Sequence, residues 1–171
     1  MSEVIEPNVD SSNLIADFPA INTDVKSLVD LNLRYGIKLG GYSLLVPESI
    51  ESEIIASPDI FPMPNTTNLM IGLISVRGRF APVFDLGEML NLKLKGRQTS
   101  IIVLQLNGDF LAFPYDSAHS LELPTSVTDN HPVLPDILTQ FTGDIYQIGE
   151  EFWIEFDFKR CLQQFANQIS Q

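Results

Sequence analysis

Basic residues are scarce in this chain. Ten Lys and Arg stand against 22 Asp and Glu over 171 residues, a formal net charge of −12. Phosphate backbones and anionic lipids are bound through Lys and Arg, so this balance argues against nucleic acid and membrane surfaces as partners. A single cysteine, Cys161, excludes an internal disulfide and suits a reducing compartment. No apolar run approaches the roughly 18–20 residues of a membrane span. The acidic start MSEVIEPNVD lacks the basic region of a secretory signal. These features together predict a cytoplasmic protein without membrane insertion.

Catalytic signals are missing as well. No HExxH, CxxC, GxSxG, P-loop or GxGxxG occurs. The two histidines, His119 and His131, have a spacing that suits no common metal site. Cys161 sits beside Arg160, which could lower its pKa, but a buried helix cysteine is the plainer reading. Glu150, Glu151 and Asp157 fit a solvated strand face better than an acid/base pair. No cofactor, no metal and no enzymatic activity are expected.

What is present is a globular, mainly β pattern, with 44% hydrophobic residues. Residues 1–27 read as an acidic, mobile tail with little periodicity, with a short ordered piece expected near 25–31. LRYGIKL, Gly40-Gly41 and YSLLV form a hairpin pattern, because glycine tolerates the positive φ of primed turns. EIIA (53–56) is a short strand, and SPDIFPMPNTTN (57–68) is a three-proline loop. A strand to about Ser75, a turn at Gly78, a strand over 79–84 and a short helix over 86–91 follow. Pro82 has no N–H, which predicts an edge strand or a bulge. KLKGRQ (93–98) is a basic link. SIIVLQL, Asn107-Gly108 and DFLAFPY give the clearest hairpin, and SLEL (120–123) a further strand. FTGDIYQI, Gly149-Glu150 and EFWIEFDF give a third hairpin, and a helix over 159–169 closes the chain.

The first and second of these hairpins echo each other. Leu39-Gly40-Gly41, Leu44 and Val46-Pro47 match Leu106-Asn107-Gly108, Leu111 and Phe113-Pro114 at one offset (108 − 41 = 67; 114 − 47 = 67). Tandem β units are one explanation, and chance recurrence of glycine turns is the other. In the last strand Phe152, Ile154, Phe156 and Phe158 alternate with Glu151, Trp153, Glu155 and Asp157, the period of a half-buried strand. Trp153 then falls on the polar face, either as an exposed binding anchor or packed beneath another element.

Arg77 and Arg79 flank Gly78 at a turn entered from an apolar run. Arg77 needs a partner, and Glu53 at the start of EIIA is the candidate, through a charge-assisted pair that would pin the corner.

The segment ISVRGRFAPVFDL (74–86) resembles the central motif of CheW-like coupling proteins, which usually reads N-L-R-G, then apolar residues, P, and D-L. Ser75 stands where Asn is usual, and Val76 where Leu is common. The VRGR variant, the Gly-Gly hairpin and the Trp-containing C-terminal strand look closest to the PilI type, from chemosensory systems of type IV pili. LAFPYDSAHSLEL resembles the stretch in which a family strand ends in D-G-V, with Asp116 matching and Ser117 replacing Gly.

The resemblance implies a CheW-like domain over 28–171. It would hold two intertwined five-stranded β-barrels with short helices: a first subdomain over 33–95, a second over 96–158, and a C-terminal helix over 159–169. It implies an adaptor that couples the cytoplasmic tips of chemoreceptors to the regulatory domain of a CheA-like histidine kinase, at membrane-associated or polar arrays. It supports the Glu53–Arg77 ion pair a second time. Partner contact is expected at Ser75, Val76, Arg77, Gly78 and Arg79, with Val76 lining a groove between the halves, and at Trp153. The alternatives are a flagellar CheW paralogue and a stand-alone β-barrel that senses a small ligand.

Overall fold

The computed structural model describes residues 33–94 and 100–169. The tail expected over 1–27, the piece near 25–31 and most of the basic link over 93–98 lie outside those residues. Among the described residues, ten strands and three helices follow in order. The first half gives β1 (Leu33–Leu39), β2 (Tyr42–Leu45), β3 (Glu51–Ala56), β4 (Met70–Val76), β5 (Arg79–Phe84) and helix α1 (Leu86–Met89). The second gives β6 (Ser100–Leu106), β7 (Asp109–Pro114), β8 (Ser117–Glu122), α2 (Asp136–Thr139), β9 (Thr142–Ile148), β10 (Glu151–Phe156) and α3 (Phe158–Ile169).

The turn chemistry makes four tight hairpins. Gly40 and Gly41 have φ of 58° and 94°, and Asn107 and Gly108 have φ of 53° and 89°. Positive φ at both central residues defines the type I′ turn, whose twist matches paired strands. Arg77 and Gly78 take the same turn at φ of 50° and 78°, which puts an arginine where asparagine or glycine is the easy choice.

The strands form two five-stranded sheets. One runs β8-β1-β2-β10-β9, the other β3-β6-β7-β5-β4. Adding five to each strand number of the first half, and subtracting five in the second, turns one order into the other. The repeat read from the two opening hairpins therefore extends through the whole topology. Its offset is 67 at β1 and β6 (100 − 33) and 72 at β5 and β10 (151 − 79).

The sheets do not follow the halves 33–95 and 96–158. Each opening hairpin joins the three later strands of the other half: β2 pairs in parallel with β10, and β5 with β7. A tight turn cannot connect parallel neighbours, so β2 and β7 find their second partners far along the chain. The two β units are intertwined, and neither is a contiguous subdomain.

Both faces of each sheet are covered. The largest cluster of buried side chains draws Ile37 and Leu44 from one sheet, Ile102, Leu104 and Phe113 from the other, and Phe158, Cys161 and Phe165 from α3. The opposite face of the β3–β7 sheet holds Ile74, Val76, Ala81, Val83, Ile101, Val103 and Ala112. Burial of both faces explains why Ile101, Ile102, Val103 and Leu104 are apolar in succession, where a one-sided strand would alternate.

Several boundaries differ from expectation. β3 starts at Glu51 and β8 at Ser117, each earlier than its apolar core suggested. β5 is an internal strand, between β7 and β4. Pro82 is tolerated there because the β5–β7 ladder is reduced to one registered pair, Val83 with Ala112. The bulge lies on the other ladder, between Met70 and Gly72 of β4. Gly72 is needed at that bend: a Cβ there would sit 2.4 Å from the Phe61 carbonyl oxygen. Phe61 in turn bonds both ways to Leu73 at 2.8 and 2.9 Å, covering part of the β4 edge.

Candidate functional site: the β4–β5 tip and the inter-sheet groove

The tip of the β4–β5 hairpin carries the ion pair. Arg77 donates from Nη2 to Glu53 Oε2 at 2.5 Å, with 66% of the arginine side chain and 31% of the glutamate exposed. This bond joins opposite margins of one sheet. In a flat five-stranded sheet, β3 and β4 would be about 19 Å apart, four spacings of about 4.8 Å. No Arg–Glu pair spans that distance, so the sheet is strongly curled, and the pair ties the tip to the strand it curls toward. Glu53 faces inward on the side of Val103, its registered neighbour on β6, which aims it at the tip.

Arg79 holds the other side. Its Nη2 donates to the Gly108 carbonyl at 3.0 Å and lies 3.7 Å from Asp109 Oδ1. Its guanidinium stacks over the Phe110 ring at 4.9 Å. The β4–β5 tip is thus fastened to β3 by Arg77 and to the β6–β7 turn by Arg79. Ser75 and Gly78 are exposed beside them.

Two expected contact residues are not available. Val76 is 2% exposed and belongs to the buried face of its sheet, because alternation along β4 turns Ser75 outward and Val76 inward. It does not line a groove. Trp153 is 1% exposed and lies in the other sheet, packed with Leu45 and Leu123. Its strand face is polar in composition, yet that face is roofed by side chains from β2 and the segment after β8. His119 meets the indole edge-on at 5.4 Å between centroids. Gly36 of β1 makes room for the ring: a Cβ there would approach Trp153 Cζ3 to 2.5 Å. Trp153 is a core residue and no binding anchor.

The groove between the sheets exists, with other walls. About 450 Å³ of open volume lies between β1 and β8 on one side and β3 on the other. Tyr35 and Ile54 line it, 57% and 53% exposed, together with Ala118, His119 and Ser120. Glu53 is the one member of the ion pair on its wall. His119 shares a 2.9 Å hydrogen bond with Ser117 Oγ.

One buried charge escaped the sequence reading. Arg34 in β1 is 7% exposed. Its Nη2 donates to Glu155 Oε1 at 3.0 Å and to the Val46 carbonyl at 3.2 Å, and Nη1 lies 3.6 Å from Glu48. Burial, with the charges of Glu155 and Asp144 added, raises the pKa of nearby Tyr146 above the usual phenol value. The only sequence signal was an arginine inside a strand, and its main partner is 121 residues away.

Nothing among the described residues gathers three or more His, Cys, Asp or Glu around a metal position. Cys161 is buried, and burial pushes its thiol up to about 12, so it is no nucleophile at neutral pH. No described helix is long and apolar enough to cross a membrane.

Comparison with known proteins gives the same architecture. Among curated proteins, none matches the chain in sequence. The crystal structure of the scaffolding protein TtCheW from Thermoanaerobacter tengcongensis superposes with a TM-score of 0.64 at 18% identity, covering 77% of this chain and 92% of that one. The model of the CheW-like domain matches residues 36–165, from β1 into α3. That span takes in both sheets, the β4–β5 tip and the groove, and on it the chain belongs to the CheW-like family.

Proposed function

We propose that this protein is a non-enzymatic signalling adaptor, coupling chemoreceptors to a CheA-like histidine kinase in a type IV pilus pathway that governs twitching motility. The observation that carries the reading is the family match over residues 36–165, which includes the tip motif VRGR and its ion pair to Glu53. The pilus assignment rests on the VRGR variant, the Gly-Gly hairpin and the Trp-bearing last strand, the features that resemble the PilI type.

An adaptor must present surfaces in fixed relation. Here both sheets share one large core, so the tip and the groove are carried on one packed body. Ser75, Arg77, Gly78 and Arg79 form the tip surface offered to the kinase's regulatory domain. The groove, with exposed Tyr35 and Ile54, is suited to the apolar face of a receptor helix. The work is done in the cytoplasm, at receptor arrays.

Affinity purification from the native cell with mass spectrometry tests this directly. A chemosensory histidine kinase and a chemoreceptor should be recovered together, from the pilus system. Recovery of neither would overturn the adaptor reading, and recovery of flagellar components would overturn the pilus assignment alone.

A further inference from the structure

A second open volume, of about 470 Å³, shares no lining residue with the inter-sheet groove. Four stretches of chain meet around it: the β2–β3 connection, the end of β6 with its turn, β9, and the junction of β10 with α3. Pro47, Ile50, Leu106 and Phe156 give it apolar walls, and Gln105 and Asn107 add neutral amides. Glu155 and Lys159 supply charges of opposite sign. These residues lie far apart in sequence, so only the fold assembles them.

Glu155 is held in place. The buried Arg34 donates to its Oε1 at 3.0 Å, and a charge-assisted bond of this kind fixes the carboxylate. The other oxygen, Oε2, has no hydrogen-bond donor among the described residues. It lies toward Gly143, on the wall of the same cavity. A Cβ at Gly143 would stand 3.8 Å from Oε2 and 3.4 Å from the Glu155 carbonyl oxygen. Those are ordinary contacts, and Gly143 has no positive φ, so neither packing nor backbone requires a glycine there. Glycine inside a strand weakens it; here it leaves Oε2 uncovered. Lys159 is the second residue of α3, whose first turn holds no acidic residue. A cation opposes the helix dipole at that end, where an anion is favoured. Lys159 makes no ion pair among the described residues, and its neighbour Asp157 is engaged as a cap, with Oδ1 accepting from the Arg160 N–H at 2.9 Å.

We propose that this cavity binds a small zwitterion, an apolar amino acid or a dipeptide of such residues, with its ammonium on Glu155 Oε2 and its carboxylate on Lys159 Nζ. A fixed carboxylate with one oxygen to spare, an unpaired ammonium and apolar walls between them match the two ends and the side chain of such a ligand. A ligand with one charge alone engages one wall alone. The buried Arg34 has a role in this beyond packing, because it orients Glu155 before any ligand arrives. The inference is independent of the adaptor reading and needs no kinase or receptor.

Isothermal titration of the full chain tests it, with L-leucine, L-methionine, L-phenylalanine and the dipeptide L-leucyl-L-leucine as probes. At least one should bind one to one, with a Kd of about 1 mM or tighter. The dipeptide sets its two charges further apart than a free amino acid does, so the preferred probe shows which of the two the cavity fits. The N-acetyl and amide derivatives of that probe lack the ammonium and the carboxylate respectively, and each should bind at least about tenfold more weakly. Gly143→Val should keep or raise the melting temperature, since a β-branched residue suits a strand, and should lose binding by covering Oε2. Lys159→Ala, at an exposed site, should bind the probe and its amide equally, which loss of a merely structural lysine would not produce. The proposal is overturned if none of the four probes binds, or if the derivatives bind as tightly as their parent. It is overturned too if Gly143→Val folds and binds like the wild type, or if Lys159→Ala still prefers the probe to its amide. Should Gly143→Val fail to fold, the Lys159→Ala comparison decides alone.

Discussion

Replacing Arg77 by glycine should leave the fold almost as stable as before while removing the pair at the tip. Three effects set the balance. Arg77 sits at φ 50°, and the left-handed region costs an ordinary residue about 1–2 kcal/mol, which glycine does not incur. Glycine gives back about 0.5–1 kcal/mol through the greater freedom of the unfolded chain. The lost ion pair has an arginine that is two-thirds exposed, so solvent screening limits it to about 0.2–1 kcal/mol. The net change is then within about 1 kcal/mol of zero, since the steric relief and the two losses are of similar size. Urea denaturation of Arg77→Gly, Glu53→Gln and the double variant reads both the net change and the coupling. A coupling of about 0.5 kcal/mol, falling with added salt, is the expected result. If the proposed adaptor function holds, binding to a CheA-like kinase should nonetheless fall in Arg77→Glu, and recover in part when Glu53→Arg is added. A loss above about 3 kcal/mol in Arg77→Gly would refute the reasoning, because only a desolvated pair has that size.

The remaining predictions concern the core and its margins. Gly36→Ala should lose about 1–3 kcal/mol by overpacking, since its Cβ meets the Trp153 ring at 2.5 Å and the Leu44 carbonyl at 2.9 Å; a lower melting temperature and a changed Trp153 fluorescence would show it. Arg34→Ala should lose about 3 kcal/mol, because Glu155 and the Val46 carbonyl lose their donor, and Arg34→Lys should not restore it in denaturant titrations. Cys161 should resist thiol reagents until the protein unfolds. Its folded pKa, about 12, lies above the ordinary value of 9.0, so the unfolded chain releases the proton first. The contribution of Cys161 is fully present below about pH 9 and is lost as pH rises from there toward 12, so Cys161→Ala should make the decline shallower, while the raised phenol of Tyr146 keeps part of it.

Much of this architecture was legible because its signals are local. Gly40-Gly41 and Asn107-Gly108 announce type I′ turns, and both hairpins fall on those residues. The Glu53–Arg77 pair was legible because an arginine leaving an apolar run needs an anion, and the strand that precedes this hairpin in sequence carries one at Glu53. Apart from Val76, what failed had non-local causes. Trp153 was placed with the polar residues of β10 on the rule that one face is wet, but both faces of that sheet are covered. Val76 was placed on a groove although its own parity along β4 turns it inward. Arg34 binds Glu155 across 121 residues, and no spacing rule reaches that far. Contiguous subdomains failed for the same reason, because parallel pairing of β2 with β10 has no turn to mark it.

The exchange of opening hairpins ties these features together. Without it, β6 and β7 would leave the sheet that contains β3, β4 and β5, and those strands would lose the ladder that spaces them. Glu53 and Arg77 would then have no curled sheet to bring them within 2.5 Å. Arg79 would lose its anchor at Gly108, which belongs to the β6–β7 turn. The groove would lose a wall in the same way, since β1 reaches β8 only because the first hairpin sits in the second half's sheet. Each candidate surface, the tip and the groove, is therefore built from both halves of the chain. A repeat whose halves merely stood side by side would carry the same motif residues but could not hold them in this geometry.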